Sequence, residues 1–137
     1  PWPDVVQVDA FSPALRRLAA EALTEIAAHA DAVRCDMAML MLNFIFERTW
    51  GARAGAKPAE DYWRAVIPAI KLDYPDFKFI AEAYWDLEWE LQQQGFDYCY
   101  DKRLYDRLRE LVEAGVPQLV DVEGGLLRGQ RLERAVL

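Results

Sequence analysis

Short apolar runs alternate with amphipathic helical segments along this chain, and that alternation restricts the fold more than any other feature. The runs are residues 32–36, 77–81 and 96–100, each bounded by turn or capping residues. Runs of this length that alternate with helical patterns read as strands of a parallel sheet joined by right-handed helical crossovers. Near-continuous apolar character in each run is expected of strands covered on both faces.

The helical segments carry their own signals. Ser12-Pro13 reads as an N-cap followed by the first helical residue. Leu15, Leu18, Ala22 and Ile26 follow at helical spacing, widened by Ala19 and Leu23, and the helix should end near His29-Ala30. Pro58 is expected to open a second helix with Tyr62, Trp63, Val66, Ile67 and Ile70 on its apolar side and Pro68 as a kink or second start. Asp86 is expected to cap a third helix that closes at Gly95, and Asp101 a fourth that closes at Gly115. A last short helix is expected over residues 126–135, with Ala135-Val136-Leu137 as the start of a further strand. Between the first strand and the second helix, residues 37–57 read as a long insertion that begins apolar and loops at Gly51 and Gly55.

With 137 residues the chain fits a single domain, and 53% hydrophobic residues supply a core. A formal net charge of -7, with basic residues scattered among acids, argues against phosphate-backbone binding. No run approaches the roughly 18 apolar residues of a membrane span. Cys35 and Cys99 lie in apolar runs without metal-type spacing, so buried free thiols in a reducing cytoplasm are expected. One histidine, His29, sits where a helix dipole favours a cation, and no cofactor or metal site is expected. Trp63 and the series Met37, Met39, Met41 read as packing residues, and Gly124-Gly125 lacks the spacing of a phosphate loop.

The chemistry gathers at two strand ends. Asp36 ends the first strand and Glu82 the second. Adjacent parallel strands lie about 4.8 Å apart, so two such side chains can reach the ~5–5.5 Å separation of a retaining glycosidase. Arg34 lies two residues before Asp36 and shares its face of the strand, where it would keep that carboxylate ionised and oriented. Phe79, Ile80, Tyr84 and Trp85 surround Glu82 in sequence, an apolar setting that would favour a protonated carboxyl. Tyr84 and Trp85 also offer flat surfaces on which a sugar ring can stack. The same residues admit simpler roles: an Arg-x-Asp pair as a structural salt bridge, an acid as a helix cap, or two oxygen ligands of a Mg²⁺ site that lacks a third.

The segment Ala32-Val33-Arg34-Cys35-Asp36-Met37-Ala38 resembles the fourth-strand motif of the α-amylase superfamily, glycoside hydrolase family 13, typically Gly-Phe-Arg-x-Asp-Ala. Phe79-Ile80-Ala81-Glu82-Ala83-Tyr84 resembles that family's fifth-strand motif. Trp2-Pro3-Asp4-Val5 to Pro13 is similar to the lead-in before its third helix, and Gly95-Phe96-Asp97-Tyr98 to its sixth strand, with Tyr100-Asp101-Lys102 after it. The motifs occur in the family's order along nearly the whole chain.

The resemblance implies a partial (β/α)8 TIM barrel. Residues 1–137 would run from about the third helix to the start of the seventh strand, with about three parallel strands. It implies Asp36 as nucleophile, Glu82 as acid/base, Arg34 as the partner that orients Asp36, and an oligosaccharide or polysaccharide with α-glycosidic linkages as substrate. Hydrolysis and transglycosylation share the first step, so either outcome fits. Two departures limit it. The family's Lys-His after the nucleophile is replaced by Met39-Leu40, and its third carboxylate, in an Asn-His-Asp motif, is absent from the chain, as is the Asn-His of its third strand. The 137 residues alone are therefore expected to be inactive. They would serve catalysis only with the remainder of the barrel, or act as a binding or structural module that associates through open sheet edges.

Overall fold

The structure, a computed structural model, describes residues 6–113 and 135–136. Elements follow in the order α1 (Pro13–Ala27), β1 (Ala32–Cys35), α2 (Asn43–Trp50), α3 (Tyr62–Lys71), β2 (Lys78–Ala81), α4 (Glu88–Gln93), β3 (Tyr98–Tyr100), α5 (Lys102–Glu113) and β4 (Ala135–Val136). Short 3₁₀ turns at Ala38–Met41 and Gly51–Ala54 flank α2. The strands form one sheet in the order β1-β2-β3-β4, and every neighbouring pair is parallel. The α/β class and the parallel sheet expected of the alternating pattern are present. Strand-like pairing begins at Ala135, where the sequence pattern allowed both the end of a helix and the start of a strand. The remainder of that expected helix, the lead-in at residues 2–5, Gly115, Pro117 and Gly124-Gly125 lie outside the described residues.

The register builds the site. Cys35 pairs with Ala81 and Ala81 with Cys99, so Asp36, Glu82 and Tyr100 fall in one row just beyond them. Side chains of consecutive strand residues point to opposite faces. On one face Cys35, Phe79, Ala81 and Cys99 are buried in a cluster with Ile45 and Phe46 of α2, Trp63, Val66, Ile67 and Ile70 of α3, and Leu91 of α4. On the other, Lys78, Ile80, Tyr98 and Tyr100 are only half-buried and Arg34 is exposed. The expectation of two covered faces is therefore corrected among the described residues. The apolar runs are apolar because of the helix-covered face, while the opposite face carries the polar side chains.

Helix ends follow local chemistry. Ser12 caps α1, its Oγ accepting the Leu15 N–H at 3.3 Å, with Pro13 in the first turn. Asp101 caps α5 through the Leu104 N–H at 2.8 Å. Two expectations fail. Helix α3 begins at Tyr62 rather than at Pro58, because Asn43 and Asp61 draw the preceding loop inward: Asp61 Oδ1 accepts the Asn43 N–H at 2.7 Å, and Asn43 Nδ2 donates to the carbonyls of Pro58 and Glu60. Asp86 does not cap α4; it adopts a left-handed φ of 61° and its carboxylate pairs with Arg103 Nε at 2.8 Å. Pro68 sits on the exposed side of α3, which runs through it.

Candidate active site

Asp36 and Glu82 stand at the C-terminal ends of adjacent parallel strands, and one side chain holds both. Arg34 Nη1 lies 2.6 Å from Asp36 Oδ1, and Arg34 Nη2 lies 3.0 Å from Glu82 Oε1. The planar fork of a guanidinium suits such bridging because its donors diverge in fixed directions. The Arg34 guanidinium also lies over the Tyr100 ring, 5.2 Å from its centroid. Its pKa is pushed up, first by the hydrogen bond to Asp36 and further by Tyr100 and Glu82, so it stays a cation. Asp36 is largely open, its side chain 73% exposed, whereas that of Glu82 is 12% exposed.

The strand ends are sewn together by the backbone. The Glu82 N–H donates to the Cys35 carbonyl at 3.0 Å, and the Ala38 N–H donates to the Glu82 carbonyl at 3.1 Å. The Met37 N–H then donates to Glu82 Oε2 at 2.8 Å. Met37 itself sits at φ 45°, in the left-handed region that non-glycine residues rarely adopt. Beyond β2, Trp85 and Asp86 adopt φ values of 62° and 61° in succession. Three strained residues within a few positions of two carboxylates mark the place where the fold holds geometry at a local cost.

The setting of Glu82 differs from the apolar one read from its neighbours. Its oxygens accept from the Arg34 guanidinium, the Met37 N–H and, at 3.0 Å, the Tyr84 hydroxyl. Phe79 is turned to the buried face and packs edge-on against Phe77 and Phe96. Alternation along the strand explains this: Glu82 shares a face with Ile80 and Lys78, not with Phe79. Tyr84 uses its hydroxyl on Glu82, and that hydrogen bond pushes the phenol pKa up. Trp85 is 58% exposed.

Of the sequence-derived site residues, Arg34, Asp36, Glu82 and Tyr84 form one connected group, and Trp85 follows it in the chain. The Met37 N–H and Tyr100 belong to the group as well, and neither was expected there. A backbone donor leaves no trace in residue identity. Tyr100 could have been found by register, since a parallel pairing places its row level with Glu82. In the stretch after Asp36 that departs from the family pattern, Met39 is fully enclosed and Leu40 half-buried; the adjacent Ala38 is also enclosed, and Trp63 Nε1 donates to its carbonyl at 2.8 Å. Met39 is a core residue. His29 lies apart, exposed and 3.4 Å from Glu25.

Both cysteines are free and buried, and burial pushes each thiol up to about 12. Among the described residues no helix is long and apolar enough to cross a membrane. This chain matches no family model, no curated protein and no solved structure.

Proposed function

We propose that this chain supplies the nucleophile and the acid/base of a retaining glycosidase of the α-amylase type, as part of a (β/α)8 barrel. The observation that carries the reading is the pair of carboxylates at neighbouring parallel strand ends, bridged by a single arginine. In barrels of this class chemistry gathers at the C-terminal ends of strands. An exposed carboxylate oriented by a guanidinium suits a nucleophile, and Asp36 is that group.

In the proposed reaction Asp36 attacks the anomeric carbon as the glycosidic C–O bond breaks. The departing oxygen takes its proton from Glu82. Glu82, now ionised, removes a proton from water, and the water oxygen displaces Asp36 from the anomeric carbon. A sugar hydroxyl in place of water makes the same chemistry a transglycosylation. Trp85 is the proposed stacking surface for a ring of the oligosaccharide. The Lys-His pair of the α-amylase pattern is replaced by Met39-Leu40, so contacts to the leaving-group sugar must come from other residues.

The test is made in the full-length protein with aryl α-glycosides and maltooligosaccharides. Asp36→Ala should abolish turnover, and Glu82→Gln should slow it by roughly 10²–10⁴-fold. A fluorinated glycoside should leave a glycosyl adduct on Asp36, seen by mass spectrometry of its peptide. Unchanged rates in either variant, or an adduct on another residue, would refute the assignment.

A further inference from the structure

Glu82 has three partners, and they differ in what they can do. Arg34 Nη2 at 3.0 Å and the Met37 N–H at 2.8 Å are donors only. The Tyr84 hydroxyl, 3.0 Å from Oε1, is the third, and a hydroxyl both donates and accepts. An acid/base must pass through both protonation states in each turnover. When the carboxyl carries its proton, two fixed N–H donors still face its oxygens, and neither can receive the new O–H. Among these partners only the Tyr84 hydroxyl can rotate and accept it.

We propose that Tyr84 is a positioning residue that keeps Glu82 in place in both halves of the reaction, donating to the carboxylate and accepting from the carboxylic acid. The inference rests on the acid/base role proposed for Glu82, and it replaces the stacking role expected for Tyr84 with one carried by its hydroxyl. No bond is made or broken by Tyr84: the proton delivered to the leaving oxygen is that of Glu82, and the phenol keeps its own. The groups around the pair are Arg34 and Asp36 from the end of β1, Tyr100 from β3 and Lys102 from the start of α5. Of these groups, Arg34 and Tyr84 touch the Glu82 carboxyl directly, together with the Met37 N–H. Removal of the Tyr84 donor takes away the member that responds to protonation and leaves those that do not.

The experiment uses the full-length protein with Tyr84→Phe, which removes only the hydroxyl, and with fluorotyrosine at position 84, which keeps it and makes it a stronger donor. Two readouts are taken. The Glu82 carboxyl is titrated directly by carbon-detected NMR, with Glu82→Gln to assign it, and the pH profile of kcat/KM is measured on an aryl α-glycoside. Tyr84→Phe should raise the Glu82 titration by about one pH unit, move the alkaline limb of the profile by the same amount and lower kcat on the order of tenfold. Fluorotyrosine should move both in the opposite direction. A Glu82 titration unmoved by either replacement overturns the proposal, and so does a Tyr84→Phe enzyme slowed with an unchanged profile. If wild type shows no glycosidase activity, the acid/base reading fails and this proposal fails with it, while the NMR titration still shows whether the two groups are coupled.

Discussion

Met37 holds a left-handed φ of 45°, and its N–H donates to Glu82 Oε2. A β-carbon in that region costs roughly 1 kcal/mol, and glycine avoids the cost. Relief of that cost is offset by loss of a partly buried side chain packed on the core, so Met37→Gly should change the global stability by no more than about 1 kcal/mol in either direction, with activity retained, as read by urea denaturation and kcat/KM. A large activity loss would mean that the side chain, rather than the backbone donor, matters. Gln94 gives a second test at this scale. Its side chain is buried, Nε2 donates to Glu90, and Oε1 has no hydrogen-bond partner among the described residues. A buried acceptor left unpaired costs about 1–3 kcal/mol. Gln94→Met keeps the shape and removes the acceptor, so a rise in the urea midpoint is expected; a fall would show that Oε1 is satisfied in solution. At the scale of single residues the sequence disclosed what side-chain type and spacing encode. Arg34-x-Asp36 on one strand face is such a case, and Glu82 at the next strand end is another. It did not disclose the Met37 donor, which depends on φ rather than identity. It misjudged the surroundings of Glu82, because neighbours in a strand alternate between faces.

Helix α4 ends at Gly95, which adopts φ 112°, and a β-carbon there would lie 3.3 Å from Ile67 Cγ2 of α3. The dihedral is strained for any side chain, and the contact would force Ile67 to give by a few tenths of an ångström. Gly95→Ala should destabilise the fold by on the order of 2 kcal/mol, measured by chemical denaturation; a neutral outcome would mean that the α3–α4 junction relaxes freely. The stop signal at Gly95 was readable from sequence because glycine is the residue that such an end needs. The α1 face was only half readable. Leu15, Ala19, Leu23 and Ala27 turn inward, while Leu18, Ala22 and Ile26 are exposed. Apolar spacing offered both faces, and contact with α3 decided between them. The start of α3 was misplaced for a related reason. Arg16 donates to Asn43 Oδ1 and to the carbonyls of Ala10 and Glu60, so the loop before α3 is fixed by residues far away in sequence. No local pattern reports such a network.

Taken as a whole, the molecule divides its sheet into an oily face and a polar one, and that division governs its response to pH. Cys35 and Cys99 lie on the covered face, where burial holds both thiols neutral up to about pH 12 against an ordinary value of 9.0. Tyr62 is shifted upward by burial and Tyr84 by its bond to Glu82, each from 10.0. All four folded-state values are raised. The unfolded chain therefore releases these protons first and binds fewer of them than the native state at alkaline pH. The sign of the linkage follows: the stabilisation is complete below about pH 9 and is lost as pH climbs towards 12. Over that window each buried thiol contributes a slope of about 1.4 kcal/mol per pH unit. Denaturation free energies measured at intervals from about pH 8 to 11 should fall with rising pH. Cys35→Ala and Cys99→Ala should each be less stable than wild type at neutral pH, because a buried atom is lost, yet decline less steeply above pH 9. The same burial should protect both thiols from an aromatic disulfide reagent until the chain unfolds. Parallel slopes in wild type and variants, together with rapid labelling of the native protein, would place the cysteines in water and contradict the helix-covered face opposite the site.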